Sequence, residues 1–295
     1  FAMSRYSGSW LAFKALDDTV ECSASVSVDP ARVTVRIPED FRLPPAGLNL
    51  RLPDQPLAME RRIHEQRLPA VLAYVRANRL NHVTYDSPRA RLGIVAAGKS
   101  YLDVRQALEH LGIDEAAAAR IGIRVCKLGM TWPLEPQGLH AFALGLEEIL
   151  VVEEKRPLVE DQVRALLYHW PDARRPRVLG KRADDGGPNE WLLPPTGELS
   201  AEQVALAIHA RLARFHAEAR LDERAAWLRA KEEALAKPPL SPQLRGYLSD
   251  AGRVPYFCSG CPHNTSARVP EGSAAIAGIG CHFMATYIFS GTKIF

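Results

Sequence analysis

From Glu21 to Ile37 the chain reads ECSASVSVDPARVTVRI, with apolar side chains at every second position on both sides of Asp29-Pro30. That period buries one face of a strand, and Asp-Pro turns the chain, so an antiparallel pair is predicted. Proline and glycine then punctuate PEDFRLPPAGLNLRLPDQP too often for any regular element, which marks a linker. In LAMERRIHEQRLPAVLAYVRANRL the spacing turns helical, with a break or kink near Pro69, whose ring removes an N–H from the ladder. From Arg91 the period changes again: RLGIVAAG reads as a short buried strand, SYLDVRQALEHLG as a helix stopped by Gly112, and IGIRVCKLG as a second strand. A helix around Gly138 to Leu146, the apolar strand EEILVVEE and a further strand at PRVLGK extend this βαβ unit. The fold expected is α/β, a parallel sheet with helices on its faces. Ser200 and Gln203 form a capping box ahead of VALAIHARLARFHAEARLDERAAWLRAKEEALAK, a helical pattern that runs to Pro238-Pro239.

The stretch GIVAAGKS, Gly93 to Ser100, fits the phosphate-loop pattern G-x-x-x-x-G-K-[ST]. A phosphate loop needs its intervening residues in an open turn whose N–H groups point inward. Here they are Ile94, Val95, Ala96 and Ala97, which belong to the interior of a strand. Gly98 then serves to turn strand into helix, and Ser100 with Asp103 reads as a cap for a helix starting at Tyr101. The acids ending ILVVEE, Glu153 and Glu154, look like a metal-binding partner of that loop, as does any buried strand that ends in a carboxylate.

Composition adds bounds. Of 295 residues 47% are hydrophobic and 24% charged, enough for one large core or two ordinary ones. The net charge of +3 comes from interspersed acids and bases, with no basic run or aromatic-basic interleaving, so no nucleic-acid partner is expected. No apolar stretch approaches a membrane span and no signal peptide opens the chain, which makes a cytoplasmic location the default expectation and a membrane role unexpected. The chain opens on Phe1 and stops at GTKIF, and an internal fragment is the expected description.

Three of the five cysteines crowd the tail: Cys258-x-x-Cys261 in FCSGCPHNTS and Cys281 in AGIGCH. Three thiolates so close suit a soft metal or an iron–sulfur cluster. Cys22 and Cys126 sit in alternating or strand sequence, where a free, buried cysteine is the ordinary state. A cluster whose fourth ligand lies beyond Phe295, a zinc ion with His263 or His282, and a purely structural set of cysteines all remain open on these residues. Gly278 and Gly280 would let the backbone come close to a bulky ligand, or simply make a tight turn.

PYFCSGCPHNTS followed by VPEGSAAIAGIGCHFMA resembles the start of the thiamine diphosphate domain of indolepyruvate ferredoxin oxidoreductases, within the 2-oxoacid:ferredoxin oxidoreductases. GKSYLDVRQALEHLGI, KLGMTWPLEP, LEEILVVEEKRPLVEDQV and RPRVLGKR resemble the transketolase-C-terminal-like middle domain of the same enzymes, and MSRYSGSWLAFKALDDTVECSASV the end of their pyrimidine-binding domain. The resemblance implies four regions: the end of a pyrimidine-binding domain at 1–52, a helical linker at 53–88, the transketolase-C-like sheet domain at 89–240, and the start of a thiamine diphosphate and iron–sulfur domain at 241–295. It implies that GIVAAGKS is no ATP site. By resemblance Cys258, Cys261 and Cys281 are ligands of a 4Fe–4S cluster, with a fourth cysteine further on. Gly280, Cys281 and His282 are candidates for the surroundings of thiamine diphosphate, whose Mg²⁺ and diphosphate motif would follow downstream, and no catalytic residue is assigned.

The activity implied is the oxidative decarboxylation of an aryl pyruvate to an aryl-acetyl-CoA and CO₂, with coenzyme A as acyl acceptor and ferredoxin as electron acceptor. In such enzymes the thiazolium is the electron sink and the cluster takes electrons one at a time. A homo-oligomer is the family expectation for the full-length protein, and the chain alone is expected to be inactive. The competing reading from another class is a non-catalytic α/β module with a zinc-binding cysteine tail.

Overall fold

The computed structural model describes residues 1–49, 51, 54–183, 190–236, 256–288 and 292–293. It divides into two compact units, Phe1–Ala226 and Trp227–Phe295. No helix among the described residues is long and apolar enough to cross a membrane.

The first unit begins with α1 (Ala2–Ser7) and α2 (Asp17–Val20), followed by irregular chain. The antiparallel pair expected at 21–37 is not formed. Val28 and Val33 are 86% and 78% exposed, and the only regular element there is a 3₁₀ turn at Pro30–Arg32, where Asp29 accepts a hydrogen bond from the Ala31 N–H. Alternation supplies a strand with an apolar face, but among the described residues nothing is laid against that face to take it out of water.

The expected helical stretch carries α3 (Pro56–Arg62), a π-helical turn at Ile63–Arg67 and α4 (Leu68–Ala77). The irregular turn lies just before Pro69, as the missing N–H requires. The chain then enters β1 (His82–Tyr85), an edge strand within the 53–88 stretch expected as a helical linker.

Next come β2 (Leu92–Ala97), α5 (Gly98–Leu111), α6 (Glu115–Ile121), β3 (Ile123–Leu128), α7 (Pro136–Ala143), β4 (Glu148–Val152), α8 (Val159–Leu167), β5 (Arg177–Leu179), α9 (Ala201–Leu212) and α10 (Ala219–Ala236). The sheet order is β1-β3-β2-β4-β5, parallel except for β1 against β3. β2 and β4 are central and read as unbroken apolar runs because helices cover both faces. Ile94 lies opposite Val125 and Leu150, and Val95 opposite Cys126 and Val151, so the two sets point to opposite faces. Val95, Cys126, Ile149 and Val151 pack with Leu139 and Phe142 of α7 and Val159, Val163 and Leu167 of α8. α5 packs on β2, β4 and α9.

Gly93 is what lets α7 settle on the sheet: a Cβ there would stand 2.9 Å from Cζ of Phe142 and closer still to Leu146. Gly112 ends α5 in the left-handed conformation, φ 71°, as expected. The cap expected from Ser100 is not used, because α5 already starts at Gly98, which places Ser100 inside the first turn. The capping box of Ser200 and Gln203 is complete, at 3.1 and 3.2 Å. The long helical pattern after it breaks at 213–218, where Arg91 stacks 4.6 Å from the Phe215 ring and donates to the Phe215 carbonyl at 3.3 Å. The end of that pattern at Pro238-Pro239 lies outside the described residues.

Glu148, at the start of β4, is 5% exposed and meets the guanidinium of Arg211 on α9, itself 4% exposed, through two hydrogen bonds of 2.9 Å. Arg214 and Arg177 stand 3.3 and 3.5 Å from the same carboxylate.

The described part of the second unit after α10 is small: α11 (His263–Ser266), a 3₁₀ turn at Cys281–Met284, α12 (Ala285–Ile288), and β6 (Ala275–Ile276) parallel to β7 (Thr292–Lys293). Part of the closing TYIFSGTKIF, residues 289–291 and 294–295, lies outside the described residues.

Removing either member of a buried ion pair strands the other, which costs about 3–5 kcal/mol. Glu148→Ala and Arg211→Met should each lower the unfolding free energy by that amount in urea titrations. The double variant should lose clearly less than the sum; strict additivity would mean that the two side chains do not act as a pair.

Candidate functional site

The crevice beyond the carboxyl ends of the parallel strands is the usual ligand position in such a sheet, where the order reverses on either side of β2. Here the chain fills it itself. Gly98 turns at φ 53° and sends Lys99 inward. The Lys99 ammonium stands 3.0 Å from Glu198, 3.3 Å from Asp103 and 3.4 Å from Glu154, and donates to the Leu199 carbonyl at 2.8 Å. Burial pulls its pKa down, but hydrogen bonds and charge from Glu198 and Asp103 outweigh this and hold it above the ordinary lysine value. Burial also pushes Asp103 up, against the pull of Lys99. A lysine with this many internal acceptors is not available to phosphate, and Ile94 to Ala97 are paired strand residues. GIVAAGKS is therefore a strand–turn–helix corner.

The acids after β4 are similarly committed. Glu154 accepts from the Leu199 N–H at 3.2 Å. Glu153 caps α8, accepting from the N–H groups of Leu158, Val159 and Glu160 at 3.1, 2.8 and 2.9 Å. Glu160 is buried beneath Gly180, where a Cβ would stand 2.7 Å from its carboxyl carbon. Burial raises its pKa, while the Lys181 N–H at 2.9 Å and Arg164 at 2.6 Å work against that rise.

The cysteine segment has a different character. Cys258-x-x-Cys261 forms a tight turn: the Cys261 N–H donates to the Cys258 carbonyl at 3.0 Å, and Asn264 binds both carbonyls, through its N–H to Cys261 at 3.1 Å and its side-chain amide to Cys258 at 3.2 Å. Cys281 opens the 3₁₀ turn after Gly280, whose φ of 125° excludes most side chains. The His282 ring folds back over the glycines, so that a Cβ on Gly278 would meet Nε2 at 3.1 Å and one on Gly280 the ring at 3.6 Å. The open backbone of AGIG thus makes room for the chain's own imidazole.

Cys258 and Cys281 are exposed, Cys261 is half-buried, and all five cysteines are free. Cys22 is exposed, against the expectation of a buried thiol, because the pair that was to bury it does not form. Cys126 is buried in the sheet, which pushes its thiol up to about 12. Three thiols are the right donors for a soft metal or cluster. Among the described residues, however, no three His, Cys, Asp or Glu side chains gather as a metal site. The described residues alone do not close a site around a 4Fe–4S cluster.

Residues 82–235 match the family model described as the indolepyruvate oxidoreductase domain. The indolepyruvate oxidoreductase subunit IorA of Methanothermobacter marburgensis is 30% identical over 203 residues, 68% of this chain and 26% of the relative. Its counterpart in Pyrococcus horikoshii is 43% identical over 79 residues, 27% of this chain and 11% of the relative. That of Archaeoglobus fulgidus is 26% identical over 224 residues, 74% and 30% respectively. The chain thus spans between 11% and 30% of the length of these relatives. Among solved structures, a 2-oxoglutarate:ferredoxin oxidoreductase from Magnetococcus marinus aligns with TM-score 0.36 and 15% identity, covering 58% of this chain and 25% of that one. A split-gene transketolase aligns with TM-score 0.31 and 20% identity, over 45% and 41%.

Because thiolate is the reactive form, thiol exposure and pKa order the reactivity. In the folded chain Cys22, Cys258 and Cys281 should react promptly with a disulfide reagent, Cys261 more slowly, and Cys126 only after unfolding; early release of all five equivalents would contradict this packing. Lys99→Met should cost about 1–3 kcal/mol in denaturant titrations by stranding its acceptors. If the wild type bound ATP and this variant did not, the corner would have to be a phosphate loop after all.

Proposed function

The chain belongs to the indolepyruvate oxidoreductase domain family, and from that premise we propose that it is an interior piece of an indolepyruvate:ferredoxin oxidoreductase. The parent reaction joins an aryl pyruvate, coenzyme A and two oxidised ferredoxins to give aryl-acetyl-CoA, CO₂, a proton and two reduced ferredoxins. The observation that carries the reading is one of order: a sheet domain matching the family over 82–235 is followed, within the same chain, by Cys258, Cys261 and Cys281.

The two units take different parts in this reading. The sheet domain is a scaffold, of the transketolase-C-like kind, since its strand ends are filled by ion pairs of its own. The tail from 241 onward belongs to the thiamine diphosphate and Mg²⁺ domain, with Gly280, Cys281 and His282 beside the cofactor. Cys258, Cys261 and Cys281 are three ligands of a 4Fe–4S cluster whose fourth ligand comes from another part of the longer protein. A cluster of this kind is a one-electron acceptor at low potential, suited to ferredoxin. The parent works as a homo-oligomer in the cytoplasm.

The full-length parent, purified without oxygen, should contain iron and acid-labile sulfide and reduce ferredoxin when given indolepyruvate and coenzyme A. Cys281→Ser should lower the iron content and the charge-transfer colour together. A parent that holds zinc alone, or that turns over no 2-oxoacid, would overturn the proposal.

A further inference from the structure

A cavity of about 290 Å³ opens between the end of α4, the edge strand β1, β3 and α7. It lies in the first unit and shares no lining residue with the Lys99 corner. Its floor is apolar and buried: Cys126, Leu134, Leu139 and Phe142. One wall carries a closed ion pair. Arg76 donates to Glu135 at 2.9 Å and to Asp40 at 2.9 Å, while Glu135 also accepts the N–H groups of Gln137 and Gly138 at 3.0 and 2.6 Å. Arg76 is shared between two carboxylates, so that wall carries one net negative charge and offers no free cation.

The mouth is different. Arg79, Asn81 and His82 line it, and among the described residues neither the Arg79 guanidinium nor the His82 ring has a hydrogen-bonding or ionic partner. Asn81 uses its Oδ1 to accept from the N–H groups of Gly129 and Met130 at 2.9 and 3.1 Å, which leaves its amide nitrogen as a further donor. Arg79 also occupies a position built for glycine. It follows the end of α4 at φ 49°, and the Leu80 N–H closes the helix onto the Val75 carbonyl at 3.1 Å. An arginine in the left-handed region holds its charge at the mouth against backbone preference.

We infer that this cavity binds a small carboxylate with a compact apolar body, the body on the Leu139–Phe142 floor and the carboxylate at Arg79. At close-packed density the volume takes roughly ten to fourteen non-hydrogen atoms. A bare inorganic anion would leave the floor wet. A cation would meet a mouth of donors and a glutamate already satisfied by Arg76. A planar carboxylate matches the fork of a guanidinium. The inference does not depend on the oxidoreductase reading, because its test is direct binding to this chain.

Phenylacetate titrated into the 295-residue chain by calorimetry should bind with 1:1 stoichiometry, and its uncharged analogue phenylacetamide more weakly. Arg79→Gly removes the charge at a backbone position that glycine prefers, so the fold is kept. It should weaken phenylacetate about tenfold, the scale of one lost charge-assisted hydrogen bond, and leave phenylacetamide unchanged. Val83→Trp, on the exposed edge strand lining the cavity, should block both compounds. No heat from phenylacetate at millimolar concentration, or an Arg79→Gly chain that binds it as tightly as the wild type, would overturn the inference.

Discussion

The buried contact between Glu148 and Arg211 constrains the sheet domain more than any other. A carboxylate at the start of a central strand is a poor candidate for burial, and taking it and a guanidinium out of water costs several kcal/mol per ion before anything is gained. That cost is offset only by good geometry, and the pair has it: two parallel hydrogen bonds of 2.9 Å in the fork arrangement that suits arginine and carboxylate. Arg177 and Arg214, more exposed and at 3.5 and 3.3 Å, add little of their own. The consequence is positional. An apolar contact between β4 and α9 would tolerate sliding, whereas this one fixes the start of β4 against one turn of α9. The register of β4 with β2 and β5 is set in the same place.

At the opposite ends of the strands Lys99 and its acceptors do the complementary job, closing the crevice in which open α/β sheets ordinarily hold ligands. Both ends of the central strands are therefore sealed by charge pairs made within the chain. This is why the domain reads as a frame, and why the cavity floored by the buried Cys126 and Phe142 lies to one side, under the edge strand β1.

Much of this was legible from residue order because burial on two faces leaves an unmistakable trace. LGIVAA and EILVV are continuous apolar runs, and Gly112 and the Ser200–Gln203 box punctuate helices by local chemistry alone. What failed depended on partners. Alternation around Asp29-Pro30 says which face of a strand would be buried, not whether anything buries it. The break between α9 and α10 has no glycine or proline and is held by Arg91, more than a hundred positions away, at the Phe215 carbonyl. β1 is four residues long with two exposed positions, too short for a period to show. In GIVAAGKS the letters matched a loop while the apolar run between the glycines described a strand, and the strand prevailed. The residues of the edge cavity come from α4, β1, β3 and α7, a set that no spacing along the chain could assemble.

The cysteine tail follows from a different balance. Among residues 256–288 and 292–293 the buried positions are Phe257, Ala277, Ala285 and Thr292, one large apolar side chain among small ones. Burial on that scale falls far short of the conformational entropy of fixing more than thirty residues, at about 1–2 kcal/mol each for the backbone alone. Hydrogen-bonded turns at Cys258 and Gly280 shape the segment locally but do not make up the difference. Among the described residues the segment's own side chains do not supply the balance, unlike a small domain in which binding free energy is folding free energy. One chain thus joins a sheet domain closed by its own ion pairs to a described segment that buries few apolar side chains.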